Sequence, residues 1–165
     1  MRRRKWTFDT VVLSNFLLSD SLFLIEKRYN GKGFITSEVY GELSAGFTSY
    51  PQLQHVDKFL DSGAFELTSL SRKELKIYKQ LIGHLGRGEA SCIAIADNRN
   101  TIMVLDDRAA RSQCIQMNIP VTGTIGILKT SVIGGLLTTA KADKILPKMV
   151  EKGFYSPVRS MADIT

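Results

Sequence analysis

The chain has 165 residues, of which 44% are hydrophobic and 23% are charged, and its net charge is +6. This length and composition are typical of one globular domain with a core of its own. They exclude a membrane-spanning protein, because no apolar run reaches the length that a bilayer requires.

The basic residues include a cluster at the N-terminus, formed by Arg2, Arg3, Arg4 and Lys5. Neither an apolar region nor the small-residue cleavage site of a signal peptide follows this cluster, so the sequence predicts a cytoplasmic protein. The positive charge suits a polyanionic partner such as a nucleic acid. A solvated basic tail at about 1–4 accounts for part of that charge equally well.

The first part of the chain predicts short strands that alternate with helices. Asp20 or Ser21 begins the second helix and Asn30-Gly31 ends it, while Ser37 begins the third helix and Pro51 breaks it. The predicted strands are 5–8, 33–36 and 64–70, the last as a candidate edge strand, and the predicted helices are 11–18, 20–29, 38–47 and 51–62.

The second part continues the alternation. Ser71 and Glu74 form a capping box at the start of a helix, and Pro147 either kinks the last helix or lies near a break in it. The apolar run "TIMVL" has the character of a central parallel strand. The predicted strands are 101–105 and 120–123, and the predicted helices are 71–86, 88–97, 107–118, 124–135 and 138–153.

Acidic residues stand at the ends of several of these elements. Strands that alternate with helices predict an α/β layer fold with a mostly parallel sheet, and in such sheets the site lies beyond the carboxyl ends of the strands. Asp9, Asp106 and Asp107 follow predicted strands, while Glu42 and Glu89 lie on helices that could face the same cleft.

Such a group of acids predicts a site for a divalent cation. Like charges raise each other's pKa and resist ionisation, and a hard cation removes that cost. Mg²⁺ or Mn²⁺ prefers oxygen ligands, polarises phosphoryl oxygens and lowers the pKa of a bound water. An acidic cleft on a basic protein is therefore compatible with a phosphate-backbone substrate.

Each acid also has an ordinary structural interpretation. Asp9 could cap a helix, Glu42 could be a solvated helix residue, and Glu89 could complement a helix dipole. Asp106 or Asp107 could cap the helix that follows. Because successive side chains of a strand point to opposite faces, only one of these two aspartates is expected to face the cleft.

Other polar residues carry less information. Thr124 begins a helix after a strand, so it could hold a phosphate, order a carboxylate or simply cap that helix. His55 and His84 lack a nucleophile context and are interpreted as surface or core histidines. Cys92 and Cys114 have neither a CxxC partner nor a nearby histidine, which favours two buried thiols.

Four motifs together resemble the PIN-domain family. "FDTVVLSNFL" resembles its opening strand–helix motif, "ITSEVYGEL" its second motif and "GEASCIAIA" its third. "VLDDRAAR" followed by "PVTGTIGIL" is similar to its fourth acid and last strand–helix step. The resemblance extends from about Lys5 to Pro157 and is greatest to VapC-like ribonucleases and to a branch described only as predicted nucleic-acid-binding proteins.

The resemblance implies a three-layer α/β/α fold and a Mg²⁺- or Mn²⁺-dependent endoribonuclease. The resemblance also implies a small antitoxin protein as partner and a homodimer. Val11 stands where the family commonly has asparagine, which predicts low or lost activity. The implied metal ligands are Asp9, Glu89 and Asp107, with Glu42 and Asp106 completing the acidic group and Thr10 and Thr124 supporting it.

Three functions are therefore compatible with the sequence. The first is a ribonuclease that hydrolyses RNA phosphodiester bonds, as the toxin of a toxin–antitoxin pair. The second is a catalytically weak PIN-like module that binds nucleic acid without cutting it. The third is a small α/β domain that binds a nucleotide or a protein, with its acids serving only as helix caps.

Overall fold

The computed structural model describes residues 4–165, which contain one sheet of five parallel strands. The order across the sheet is β3-β2-β1-β4-β5. The basic tail predicted at 1–4 lies outside the described residues except for Arg4, whose guanidinium donates to Asn100 Oδ1 at 2.7 Å. The strands are β1 (Trp6–Phe8), β2 (Gly33–Thr36), β3 (Phe65–Thr68), β4 (Ile102–Val104) and β5 (Val121–Thr122).

Helices connect the strands and cover the sheet. Right-handed connections place the helices between β1 and β3 on one face and those between β3 and β5 on the other, which gives three layers. Short 3₁₀ helices occur at Pro51–His55 and Met161–Asp163. The α-helices are α1 (Thr10–Leu18), α2 (Leu22–Tyr29), α3 (Ser37–Ala45), α4 (Val56–Asp61), α5 (Arg72–Leu81), α6 (Arg87–Arg99), α7 (Arg108–Gln116), α8 (Thr124–Ile133) and α9 (Thr139–Glu151).

The core forms where apolar strand residues meet buried helix faces. Phe8 and Phe65 approach with their ring centroids 4.8 Å apart between strands on either side of β2. Helix α6 is buried from Ala90 to Ala96, and its small side chains let it pack closely. Within the described residues, none of the helices combines the length and the apolar character needed to cross a membrane.

Some predicted boundaries differ from the structure. Thr36, rather than Ser37, caps α3, because its hydroxyl accepts from the Val39 N–H at 3.0 Å. The helix predicted from Pro51 begins as a 3₁₀ helix and becomes α-helical only at Val56. Pro147 lies inside α9 without ending it.

The strand order creates a switch point at the centre of the sheet. From β1 the chain proceeds to β2 and β3 on one side, and it then returns to β4 and β5 on the other. The crevice between β1 and β4 lies outside their carboxyl ends, which is where α/β proteins bind ligands. The Asp9 N–H donates to the Val104 carbonyl at 3.0 Å and joins the ends of β1 and β4 there.

Candidate active site at the carboxyl ends of β1 and β4

Asp9 lies at the base of this crevice. It follows β1 directly, occupies the N-cap position of α1 and is only 3% exposed, and its carboxylate forms no capping hydrogen bond. Burial raises the pKa of Asp9 to about 7, with the charges of Glu89 and Glu42 adding to the effect. The Thr10 N–H opposes this rise only in part. The Asp9 carboxyl group therefore lies in a buried and negatively charged environment, which disfavours its ionised form.

Glu89 lies in the first turn of α6 and faces the same crevice. Burial raises its pKa, and the negative charges of Asp107 and Glu42 raise it further, while the Gly86 N–H lowers it. Asp9 and Glu89 therefore each have other carboxylates from separate parts of the chain as charged neighbours, four acids in all. The four are Asp9, Glu42, Glu89 and Asp107.

Glu42 is held by two donors, although its residue surface is exposed. Its Oε2 accepts from the Thr10 hydroxyl at 2.7 Å, and its Oε1 accepts from the Gly88 N–H at 2.9 Å. Gly88 allows this approach, because a Cβ atom at that position would overlap the Glu42 carboxylate. Thr10, a predicted supporting residue, therefore binds one of the predicted acids, and its role in a site stays a prediction.

The adjacent aspartates have different partners. Asp107 caps α7, with its Oδ2 accepting from the Ala110 N–H at 2.9 Å. Asp106 turns toward α8, where its Oδ1 accepts from the Thr124 N–H at 2.9 Å and its Oδ2 from the Thr124 hydroxyl at 2.6 Å. Asp107 thus combines a capping role with proximity to Glu89, and Thr124 orders a carboxylate.

Asn15 was not among the predicted site residues. This residue of α1 is 8% exposed, and its Nδ2 donates to Thr124 Oγ1 at 3.0 Å and to Asp106 Oδ2 at 3.3 Å. A polar amide inside an otherwise apolar helix was the available signal, since buried polar groups normally have a specific partner. Val11, which stands one turn earlier on the same helix, is 51% exposed.

The remaining candidates do not join the acidic group. His55 and His84 are exposed, and His84 Nε2 lies 3.4 Å from Gln113 Oε1. Cys92 and Cys114 are free and buried, as predicted. The cysteine and histidine interpretations made from the sequence are therefore consistent with the structure.

The carboxylates fit a divalent cation by their chemistry. They supply the oxygen donors that Mg²⁺ and Mn²⁺ prefer, and hydrogen bonds from Thr10 and Gly88 hold the Glu42 carboxylate between the starts of α1 and α6. Within residues 4–165, however, no three His, Cys, Asp or Glu side chains are grouped so that they could hold a metal ion. Coordination by three carboxylates therefore requires side-chain rotations from the described conformation.

Comparison with known proteins identifies the fold. A family model described as a PIN domain matches residues 5–165, and the chain therefore belongs to the PIN-domain family. Its structure is similar to a chain in the crystal structure of VapBC2 from Rickettsia felis bound to a DNA fragment from their promoter, with a TM-score of 0.52. The two chains are 17% identical, over 72% of this chain and 97% of that chain. No curated protein is significantly similar to the sequence. The predicted PIN-like α/β fold is confirmed.

Proposed function

We propose that the protein is a metal-dependent endoribonuclease that hydrolyses RNA phosphodiester bonds. The observation that carries this proposal is a PIN fold in which Asp9 and the Asp106–Asp107 pair follow the neighbouring strands β1 and β4 at the switch point, while Glu42 is hydrogen-bonded to the start of the helix that carries Glu89. Keeping a buried acid beside other acids costs stability, and such an arrangement is typical of functional sites.

The metal would be held by Asp9, Glu89 and Asp107, with Mg²⁺ or Mn²⁺ as the ion that suits carboxylate donors. When bound, the ion would polarise a phosphoryl oxygen and lower the pKa of a water molecule. Burial of Asp9 excludes bulk water from one side of this group and strengthens the electrostatic interactions there.

Glu42 and Asp106 would have a different part in the reaction. Both oxygens of each carboxylate already accept hydrogen bonds from the protein, so these two acids are fixed in orientation. Glu42 would keep a negative charge in the cleft and orient a water or a ribose hydroxyl. Asp106 would hold the start of α8 in place through Thr124.

We extend the proposal to a toxin that acts in the cytoplasm, forms a homodimer and is inhibited by a small antitoxin protein. Its support is the similarity in fold to a chain of the VapBC2 complex. A neighbouring reading frame that encodes a small protein able to bind this chain and inhibit its cleavage would support this part of the proposal.

The test is cleavage of single-stranded RNA in the presence and absence of Mn²⁺. We expect cleavage that EDTA abolishes, and we expect Asp9→Asn to reduce the rate by about 100-fold or more, because it removes a charged metal ligand. Asp97→Asn is the matched control, since Asp97 is an exposed acid near the far end of α6. Equal cleavage by the parent and Asp9→Asn would remove Asp9 from the mechanism.

The second candidate is a module that binds nucleic acid without cutting it. Two observations favour it. Val11 is apolar, whereas the family commonly has asparagine at this position of its first motif. In addition, residues 4–165 contain no group of three side chains placed to bind a metal ion. RNA binding that is unaffected by EDTA, together with no cleavage at any Mn²⁺ concentration, would establish this alternative.

A further inference from the structure

Asn15 connects the helix that follows Asp9 to residues that follow strands β4 and β5. It belongs to α1, the helix that begins after Asp9, and its amide reaches Asp106 and Thr124, which are 91 and 109 residues away in the chain. Thr124 is fully buried and Asn15 nearly so. Helix α1, helix α8 and the segment that follows β4 therefore meet through one polar network.

The direction of the hydrogen bonds in this network is fixed. The Asn15 Nδ2 can only donate, and it donates to the Thr124 oxygen at 3.0 Å and to Asp106 Oδ2 at 3.3 Å. The Thr124 hydroxyl has one proton, and it lies 2.6 Å from the same Asp106 oxygen. Asn15 therefore donates to both Thr124 and Asp106, the Thr124 hydroxyl donates to Asp106, and Asn15 restrains the hydroxyl that binds this carboxylate.

We infer that Asn15 is a positioning residue, which orients Thr124 and Asp106 at the carboxyl end of β4, directly before the predicted metal ligand Asp107. This inference rests on the proposed function. Asp106 and Asp107 are adjacent, and each is held by the start of a different helix, Asp106 by Thr124 of α8 and Asp107 by the Ala110 N–H of α7. Asn15 carries the only side-chain amide in the sequence of α1, and Val11 on the same helix is apolar and more than half exposed.

The experiment compares Asn15→Leu and Asn15→Asp with Asn98→Leu in the full-length chain. Leucine has a similar size but removes the donor, whereas aspartate places a second carboxylate against Asp106. Asn98 is a matched control because its Nδ2 also donates to a carboxylate, Glu74 Oε2 at 2.8 Å, near the opposite end of α6 from Glu89. The measurements are the dissociation constant for Mn²⁺, kcat and KM on single-stranded RNA, and amide hydrogen exchange at Thr124.

We expect both Asn15 variants to weaken Mn²⁺ binding by about tenfold or more and to lower kcat more than they raise KM. We also expect exchange of the Thr124 N–H to become faster, because its acceptor Asp106 loses a restraint. Asn98→Leu should leave these three quantities within about twofold of the parent even where it destabilises the fold.

Two results would overturn the inference. One is an Asn15→Leu protein that retains parental Mn²⁺ affinity and kcat. The other is faster Thr124 exchange with unchanged Mn²⁺ affinity, which would make Asn15 a structural contact only. If the parent itself neither binds Mn²⁺ nor cleaves RNA, the proposed function fails whatever the Asn15 variants do. If the parent is active and Asn15→Leu matches it, only the inference about Asn15 fails.

Discussion

Gly88 permits the close contact between the Glu42 carboxylate and the N-terminus of α6. A Cβ atom at position 88 would overlap both Glu42 oxygens and its carboxyl carbon, so the side chain would have to leave the Gly88 N–H. The contact also orders the Thr10 hydroxyl, which binds the other oxygen of Glu42. Position 88 thus controls the placement of an acid that is 46 residues away.

Gly88→Ala should therefore reduce RNA cleavage by about 10- to 100-fold through displacement of Glu42. Alanine normally stabilises a helix by about 0.5–1 kcal/mol relative to glycine, so a variant that gains no stability would reveal the lost contact. Gly41→Ala is the control, because a Cβ at position 41 of α3 has nothing within 4 Å. Parental activity in Gly88→Ala would show that the Glu42–Gly88 contact has no part in the reaction.

Single residues show what the sequence could and could not predict. The acids were recognisable because Asp9, Asp106 and Asp107 follow strands and Glu89 opens a small-residue helix. Asn15 was not, because its partners are more than 90 residues away and only the folded chain brings them together. The sequence likewise does not show whether Asp106 or Asp107 is the charged neighbour of Glu89. Strand alternation alone does not determine these side-chain directions.

At the scale of elements, a buried ion pair joins α5 to α6. Glu74 is fully buried and accepts hydrogen bonds from Arg99, Asn98 and the Ser71 N–H. Burial alone would raise the pKa of Glu74, but these donors, Arg99 foremost, lower it to about 2. The capping box of Ser71 and Glu74 was predicted from the sequence and is confirmed, whereas its connection to Arg99 required the fold.

This ion pair makes the stability of the protein dependent on acidic pH. Because the pKa of Glu74 is about 2 in the folded protein and ordinarily 4.5, its contribution to stability is fully present above pH 4.5. The contribution is lost as the pH falls from there toward 2. Glu74→Gln should lower the free energy of unfolding at pH 7 by roughly 3 kcal/mol. Between pH 4.5 and 2, the free energy of unfolding of this variant should fall less than that of the parent.

Urea unfolding at pH 7 and pH 3 measures this effect. Glu66→Gln is the control, since Glu66 pairs with Lys5 at 3.8 Å on the surface and should change stability by less than about 1 kcal/mol. An equal loss of stability at both pH values in Glu74→Gln would contradict the assigned pKa.

At the scale of the whole molecule, the order of the strands determines where the site lies. Local patterns predicted strands, helices and a mostly parallel sheet, but they contain no information on which strands are neighbours. That order follows from packing between distant segments, and it places Asp9 and Asp106 on adjacent strand ends. The sequence therefore predicts which residues form the site but not how they are placed relative to one another.

The distribution of charge is a second property of the whole molecule. The protein has a net charge of +6, and Lys141, Lys144 and Lys148 are exposed on α9 at spacings that place them on one helix face. Of the two ion pairs found among residues 4–165, neither involves these lysines. We expect this face to contact the phosphate backbone of RNA, because its positive charge attracts the phosphates that the carboxylates of the cleft repel.

Binding of a non-cleavable single-stranded RNA should therefore weaken as the salt concentration rises. Each phosphate contact contributes a slope of about −0.7 in a plot of log K against log salt, so Lys→Gln at all three positions should reduce the slope by about 2. The control replaces Lys73, Lys76 and Lys79 of α5 in the same way and removes the same charge. If both triple variants reduce the slope equally, the net charge attracts RNA and the α9 face does not bind it specifically. A reduction confined to the α9 variant would locate the RNA backbone on that helix.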